Sequence, residues 1–199
     1  MKFLDLCSGL GGASEAFLQN GWSVRRIDNN SILANVPFTS IMSLADLRIK
    51  LENHNGDYDV DVVWFSPPCL EFSNGYNSPK SKHVREHGID SYEPDMSILM
   101  EGLEIIKILK PKYWIVENVA GATRYFNSVL GAPRQILGAF VLWGNFPYIH
   151  LDPGELPLKK SKDVHSGNPL RSNLLAKIPY RLSEELLKSI TVQKRLDIF

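Results

Sequence analysis

The sequence is short of the features that define several large classes of protein. Among its 199 residues there are only two cysteines, Cys7 and Cys69, which excludes a disulfide framework or a cysteine-rich metal cluster. Its apolar runs stop well short of the roughly 18 residues that a membrane-spanning helix needs. The N-terminus carries an early acid, Asp5, and lacks the pattern of a secretory signal peptide. We therefore expect a cytoplasmic protein with no membrane partner and no metal site.

An excess of charge of one sign is also missing. Lys and Arg total 22 and Asp and Glu total 22, so the formal net charge is zero. Proteins that depend on nonspecific attraction to nucleic acid are usually basic, so any DNA contact here must come from a local patch. The best such patch lies in the polar stretch 74–93, which contains Lys80, Lys82, His83, Arg85 and His87. We interpret 74–93 as a mobile loop over an active site; a plain solvated loop is the alternative.

What the sequence does contain is an alternation of strand and helix patterns. Apolar, branched and aromatic runs predict strands at 2–6, 23–27, 59–65, 113–116 and 139–143, with a weaker one at 36–41 that contains Pro37. Helical spacing or composition predicts helices at 13–20, 43–51 and 95–109, and a last helix that begins at Ser183 as its N-cap. This alternation predicts a single α/β domain over residues 1–199, with a three-layer, mostly parallel sheet.

The first predicted strand runs into a glycine-rich turn, Ser8-Gly9-Leu10-Gly11-Gly12. A helix and a second strand follow, and that strand ends at Asp28-Asn29. The order strand, glycine loop, helix, strand and acid is typical of nucleotide-binding units. The start of such a helix offers backbone N–H groups to a carboxylate or phosphate. An ordinary tight turn would leave the same pattern.

Two later strands end in residues that can carry chemistry. Pro67 and Pro68 stop the strand at 59–65 and stiffen the loop that presents Cys69, and a fixed geometry suits a nucleophile. Glu117 follows the strand at 113–116, where a carboxylate is costly unless it is used or paired. Taken singly, Cys69 would be a small buried side chain, and Glu117 would be part of a surface salt bridge.

Three segments, taken in order, resemble the DNA cytosine-5 methyltransferase family. They are the opening Asp-x-x-x-Gly-x-Gly-Gly from Asp5, then Ser66-Pro67-Pro68-Cys69 with Phe72-Ser73 after it, then Val116-Glu117-Asn118-Val119. The resemblance extends from about residue 3 to residue 147, with a weaker echo near Gly167-Asn168 and the last helix. It implies the Rossmann-like sheet of S-adenosylmethionine-dependent methyltransferases, methyl transfer to carbon 5 of cytosine in DNA, and a bacterial or bacteriophage source.

The same resemblance assigns roles to residues. S-adenosylmethionine is the implied cofactor, with Asp5, Gly9, Gly11 and Gly12 around its methionine part, Asp28 at the ribose and Asp46 at the adenine. Neighbouring positions complete the implied cofactor-binding set: Leu6, Cys7, Leu10, Asn29, Leu47 and Pro67. Cys69 would be the nucleophile that attacks carbon 6 of a flipped cytosine, and Glu117 would be the acid at its N3.

The sequence departs from the family pattern in two ways. The family usually has Gln after the catalytic cysteine, where this chain has Leu70, and a later family motif has two alternating arginines that are missing here. Arg124 or Arg134 is the expected substitute, unless both are plain surface residues. In addition, no separate target-recognition domain follows residue 147, so we expect 148–182 to be a reduced remnant of it.

These departures leave the function open in three directions. DNA recognition could fall to the 74–93 stretch, to the Lys159–Lys162 segment, or to a homodimer or another partner chain. A catalytically silent relative that binds DNA or protein would explain the missing Gln and arginines. The same chemistry on a nucleotide, RNA or a modified cytosine would explain the missing recognition domain.

Overall fold

A computed structural model of the protein describes residues 1–53, 59–156 and 167–196. The strands are β1 (Lys2–Leu6), β2 (Ser23–Asp28), β3 (Thr39–Ile41), β4 (Val62–Phe65), β5 (Tyr113–Asn118), β6 (Gln135–Leu137) and β7 (Phe140–Asn145). The helices are α1 (Glu15–Gln19), α2 (Leu44–Glu52), α3 (Pro79–His87), α4 (Ser97–Leu109), α5 (Thr123–Leu130), α6 (Arg171–Ala176) and α7 (Tyr180–Leu196). The predicted strands are all present, whereas β6, α5 and α6 were not expected.

The strands form one sheet in the order β3-β2-β1-β4-β5-β7-β6. Strands β1 to β5 run parallel, and β7 pairs antiparallel with both β5 and β6. The predicted mostly parallel α/β fold is therefore confirmed. Because the parallel strands share one direction, their carboxyl ends meet at one edge of the sheet, where ligands bind in open α/β folds. The loops that carry Gly9, Asp28 and Cys69 all leave from this edge.

Apolar side chains cover both faces of the sheet and make three layers. One face packs against α1 and α7, through side chains such as Phe17 and Leu186. The other face packs against α2, α4 and α5, through Leu47, Ile105 and Phe126. Neither these helices nor any other within the described ranges has the length and apolar character to cross a membrane.

The stretch 74–93 differs from the irregular loop that its composition predicted. It contains helix α3, which begins after Ser78, whose hydroxyl accepts a hydrogen bond from the Ser81 N–H at 3.2 Å. Pro79 occupies the first helical position, where its missing N–H has no cost. The helix was missed because its exposed side is almost wholly polar and gives no apolar period. Its mobility remains a prediction.

Parts of the chain between 148 and 182 belong to the core of the domain, and its interpretation as a reduced recognition domain remains a prediction. Ile149, Leu151 and Leu156 at its start, and Ile178 and Leu182 at its end, are buried in the core beside α1. Residues 157–166, which include the predicted Lys159–Lys162 segment, lie outside the described residues.

Ser183 is not the N-cap that the sequence predicted. Helix α7 begins at Tyr180, so Ser183 lies in its first turn and is fully buried. Its hydroxyl donates to the Ala13 carbonyl at 2.6 Å and accepts from the Ala16 N–H at 3.2 Å. One side chain of the last helix thus satisfies backbone groups at the start of α1.

This bond predicts the effect of Ser183→Ala on stability. Removing the hydroxyl leaves buried backbone groups of α1 unpaired, so we expect a loss of about 1–3 kcal/mol in the free energy of unfolding. Thr191→Ala is the matched control, because the Thr191 hydroxyl bonds only to the Leu187 carbonyl of its own helix. Chemical denaturation measures both; equal losses in the two variants would contradict the prediction.

Candidate active site

The glycine loop and the end of β2 come together as the sequence predicted. The Gly9 N–H donates to Oδ2 of Asp28 at 2.9 Å, and Oδ1 of Asp28 accepts from the Asn30 N–H at 3.0 Å. The loop closes on itself through the Gly11 N–H and the Ser8 carbonyl, at 2.8 Å. A carboxylate is therefore fixed beside the backbone of the loop, at the carboxyl edge of the sheet.

The three loop glycines serve different purposes. A Cβ on Gly11, which has φ of +72°, would lie 2.2 Å from the Arg26 guanidinium, and one on Gly12 would lie 2.3 Å from the Ile178 carbonyl. Both positions exclude side chains because the protein itself packs there. At Gly9 the nearest atom to such a Cβ is Nδ2 of Asn173, at 3.8 Å. Gly9 therefore has room beside it, under helix α6.

Two buried polar atoms without hydrogen-bond partners lie close to Gly9. Within the described part of the chain, Oγ of Ser8 and Oδ1 of Asn173 are buried and have no hydrogen-bond partner. Buried polar atoms are normally paired, so such atoms mark a place where a bound group can supply the bond. Ser8 can donate to a carboxylate and Asn173 can accept from an ammonium group. Sequence analysis missed Asn173; its only signal was the weak echo around the last helix.

Asp5 lies underneath the loop rather than on its open side. Its carboxylate is 1% exposed and accepts from the Ser14 hydroxyl at 2.7 Å. The Ser14 oxygen in turn accepts from Nε of Arg26 at 2.9 Å, and the Arg26 guanidinium also donates to the Gly11 and Pro37 carbonyls. This network supports the loop from below, so Asp5 positions the loop; its predicted contact with a cofactor remains a prediction.

The remaining predicted cofactor residues are distributed around this edge. Leu6 and Leu47 are buried in the core, and Asp46 is exposed and engaged with Ser43 at the start of α2. Leu10 is half-buried and Asn29 is exposed. Burial, and then the charges of Asp28 and Asp5, raise the pKa of the Cys7 thiol to about 12. Cys7 therefore stays a neutral thiol at neutral pH and is unsuited to be a nucleophile.

The loop that carries Cys69 is tied to the next strand. Nδ2 of Asn118, at the end of β5, donates to the Pro67 carbonyl at 2.9 Å in a buried position. The register of β4 and β5 pairs Phe65 with Val116. The loop beginning at Ser66 therefore leaves the sheet beside the last two residues of β5, Glu117 and Asn118. The sequence contains Asn118 in its Glu-Asn motif, but the partner of the amide could not be read from it.

The side chains of Cys69 and Glu117 differ in their exposure to solvent. Cys69 is half-buried, and its carbonyl accepts from the N–H groups of Phe72 and Ser73, which closes the loop into a turn. Glu117 is 9% exposed and lies inside β5 rather than after it. A half-buried thiol and a nearly buried carboxyl group thus come from neighbouring parallel strands.

The two candidate arginines lie in different surroundings. Arg124 lies in α5 and pairs with Asp90 at 2.6 Å. Burial lowers the pKa of nearby Lys80, and the charge of Arg124 lowers it further. Lys80 binds the Phe72 and Gly121 carbonyls, which are near Cys69 and Glu117 in the chain. Arg134 precedes edge strand β6 and lies over the Phe146 ring at 5.5 Å.

Comparisons with known proteins indicate the family. A model of the family described as C-5 cytosine-specific DNA methylase matches residues 1–130. The chain is 34% identical over 125 residues to a Frog virus 3 protein named "Probable DNA (cytosine-5)-methyltransferase", covering 59% of this chain and 53% of that protein. It is 27% identical over 134 residues to the type II methyltransferase M.DdeI of Desulfomicrobium norvegicum, covering 61% and 28% respectively.

Among solved structures, a methyltransferase of Entamoeba histolytica is similar, with a TM-score of 0.43 and 14% identity. That alignment covers 76% of this chain and 55% of the other. The chain thus spans about half the length of the frog virus relative and a smaller share of the M.DdeI enzyme.

The buried position of Asp5 predicts how stability depends on pH. Burial raises the pKa of Asp5 from an ordinary 3.8 to about 7, although Ser14 and Arg26 oppose the shift. The folded protein therefore holds a proton that the unfolded chain releases between about pH 4 and 7, and stability falls across that window as pH rises. In Asp5→Asn this contribution disappears. Chemical denaturation at several pH values should show wild type losing stability relative to the variant, and a constant difference would refute the assignment.

The Asn118 bond predicts a second stability effect. Asn118→Ala leaves the buried Pro67 carbonyl unpaired, so we expect a loss of about 1–3 kcal/mol. Hydrogen exchange at the Phe72 and Ser73 amides should also become faster because the loop loses its anchor. Asn145→Ala is the matched control, since Asn145 donates to the Lys112 carbonyl in an exposed position. The assignment is wrong if both variants leave exchange in the 69–73 turn unchanged.

Proposed function

The chain belongs to the C-5 cytosine-specific DNA methylase family, and from this premise we propose that it transfers a methyl group from S-adenosylmethionine to carbon 5 of cytosine in DNA. The observation that carries the proposal is the bond between Asn118 and Pro67, because it holds the Cys69 loop beside the strand that carries Glu117. The activity of the whole protein is a proposal, because the chain spans only about half the length of the frog virus relative and a smaller share of M.DdeI.

S-adenosylmethionine suits the glycine-loop edge. The unpaired Ser8 hydroxyl and Asn173 carbonyl oxygen match the carboxylate and ammonium ends of an amino acid. Asp28 offers a fixed carboxylate for ribose hydroxyls, in the position that dinucleotide-binding folds use. Asp46, Leu47 and Pro67 are proposed to lie around the adenine. When bound, the sulfonium supplies an electrophilic methyl group.

The chemistry required of the protein is to make carbon 5 of cytosine nucleophilic. We assign Cys69 to the addition: its thiolate forms a bond to carbon 6, and the displaced ring electrons become available at carbon 5. Glu117 donates a proton to N3, which takes up the charge that would otherwise build up on the ring. Carbon 5 would then accept the methyl group from the sulfonium, whose remaining part departs as a neutral thioether. Loss of the carbon-5 proton to a base would break the bond between Cys69 and carbon 6 and return the thiolate, while Glu117 takes back the proton from N3.

A cation that holds the cytosine carbonyl oxygen would complete the site. We favour Arg124 over Arg134 for this role, because Arg124 lies near Lys80 and the turn after Cys69. Its ion pair with Asp90 is exposed on both sides, so it costs little to exchange for another partner. Arg134 is engaged with Phe146 near the outer edge of the sheet.

The proposed reaction also bears on the form of the DNA substrate and on the cellular location. In duplex DNA the target carbons are stacked out of reach, so the base has to leave the helix before Cys69 can attack. Because the thiol must stay reduced and neither cysteine forms a disulfide, we propose the cytoplasm as the location. A homodimer or a partner chain remains our proposal for additional DNA recognition.

A trapped adduct tests the mechanism directly. An oligonucleotide with 5-fluorocytosine lacks the proton that must leave carbon 5, so the protein should remain covalently attached in the presence of S-adenosylmethionine. Mass spectrometry of the digested complex should locate the attachment on Cys69, and Cys69→Ser should form no adduct. Attachment at Cys7 would overturn the assignment.

The role of Glu117 is measured by the rate of methyl transfer. Glu117→Gln should slow the reaction by about 10²- to 10⁴-fold, the usual contribution of a positioned acid. Glu104→Gln, an exposed residue of α4, is the control and should leave the rate unchanged. Transfer to dCMP or RNA but not to DNA would move the proposal to those substrates. Cofactor binding with no transfer to any pyrimidine would favour a silent DNA- or protein-binding relative.

A further inference from the structure

A cavity of about 610 Å³ lies next to the proposed active site without including Cys69 or Glu117. Helix α3 forms one wall and the turn after β5 forms the other. The residues of interest in its lining are Tyr76, Lys80, Arg85, Gly121 and Arg124. We refer to it as the α3 cleft. Its volume is in the range of sites that hold small molecules or single nucleotides.

The floor of the α3 cleft carries a cation whose partners are all neutral. Lys80 is 8% exposed, and its Nζ donates to the Phe72 carbonyl at 3.1 Å, Oδ1 of Asn74 at 2.7 Å and the Gly121 carbonyl at 3.3 Å. None of the carboxylates within the described ranges forms an ion pair with it. Burial, and then the charge of Arg124, lower the pKa of Lys80, which means that its surroundings disfavour the charged form of this lysine. An anion in the cleft would relieve this.

The rim of the α3 cleft carries an exposed aromatic ring. Tyr76 is 75% exposed, the highest value among the large apolar side chains described. The Arg85 guanidinium lies 4.2 Å from the centre of its ring and donates to the Tyr76 carbonyl at 2.8 Å. This pairing holds Arg85 against one face of the ring, and the high exposure leaves the rest of the ring available. Aromatic rings beside cations are typical of surfaces that stack unpaired bases.

The α3 cleft is anchored to the loop that carries the proposed nucleophile. The Ser78 hydroxyl caps α3 and donates to the Ser73 carbonyl at 2.6 Å, and Lys80 holds Phe72 and Gly121 together. Phe72 itself packs against Phe126 in the core, with ring centres 4.9 Å apart. Whatever binds in the cleft is therefore held at a fixed distance from Cys69.

We propose that the α3 cleft binds an unpaired stretch of DNA next to the target cytosine, with a base stacked on Tyr76 and phosphates near Lys80 and Arg85. The consequence is a preference for single-stranded over duplex DNA, and this inference rests on the proposed function. Bases inside a duplex have no free face for Tyr76, whereas every unpaired base has one. A net charge of zero also gives the protein no general attraction to the phosphates along a duplex.

Binding of fluorescent oligonucleotides to the full chain tests this inference without requiring catalysis. Anisotropy is measured with a single-stranded cytosine-containing DNA and with its duplex, at one fixed salt concentration. We expect the single strand to bind at least about 10-fold more tightly. Tyr76→Leu should weaken that binding about 5- to 100-fold, the usual effect of removing one stacking side chain, and Tyr76→Phe should retain it.

The matched control is Tyr148→Leu. Tyr148 is also exposed, but it follows β7, whose end aligns with the start of β5 and so lies at the opposite edge of the sheet from Cys69. Arg85→Gln provides a second test, since it should weaken binding and reduce the dependence on salt by about one phosphate contact. Lys107→Gln, on the exposed side of α4, should change neither.

The inference is overturned if the duplex binds as tightly as the single strand, or if Tyr76→Leu behaves like Tyr148→Leu. Tighter binding of single-stranded RNA than of DNA would overturn it as well. These outcomes are distinct from failure of the proposed function. Adduct formation at Cys69 with no preference for single strands would refute only the cleft, whereas cleft binding without any methyl transfer would refute only the reaction.

Discussion

The hydrogen bond from Asn118 to the Pro67 carbonyl is the constraint on which the proposed site depends. The loop after β4 has no regular structure of its own, and two prolines remove the N–H groups that could have anchored it. The Asn118 amide supplies the missing anchor from the neighbouring strand, in a buried position where the bond is strong and its loss is costly. As a result, the Pro67 carbonyl, two residues before Cys69, is tied to the strand that carries Glu117.

A second set of hydrogen bonds fixes the glycine loop, in the other half of the carboxyl edge of the sheet. The buried chain from Asp5 through Ser14 to Arg26 reaches the Gly11 carbonyl, so the glycine loop rests on hydrogen bonds between β1, β2 and the start of α1. Gly11 and Gly12 are small because Arg26 and Ile178 occupy the space that side chains would need. Of the three glycines, Gly9 alone could take a Cβ without a clash, with its nearest neighbour, Nδ2 of Asn173, at 3.8 Å. The shape of the glycine loop is therefore set mainly by packing within the protein, and the proposed binding surface is the side of the loop at Gly9.

Residues of the described segment 167–196 complete this surface, although they are more than 150 positions from the glycine loop in the sequence. Ile178 packs over Gly12, Asn173 lies beside Gly9, and Ser183 bonds to the first turn around α1. Without these residues the glycine loop would face solvent. The family model covers residues 1–130, yet the described segment 167–196 contributes to the same edge of the sheet. The α3 cleft adds another surface beside Cys69, built from a stretch that composition alone marks only as basic and polar.

The sequence by itself determined the α/β alternation, the glycine loop, the acid at Asp28, and the loop that follows the strand before Cys69. These follow from local patterns: apolar runs form strands, glycines and prolines interrupt them, and parallel strands expose their carboxyl ends together. Only the tertiary structure decided that Asp5 supports the loop from below, that Asn118 anchors Pro67, and that Lys80 joins three segments. Those contacts link residues far apart in the chain, and a side chain's partner depends on packing that no local pattern contains.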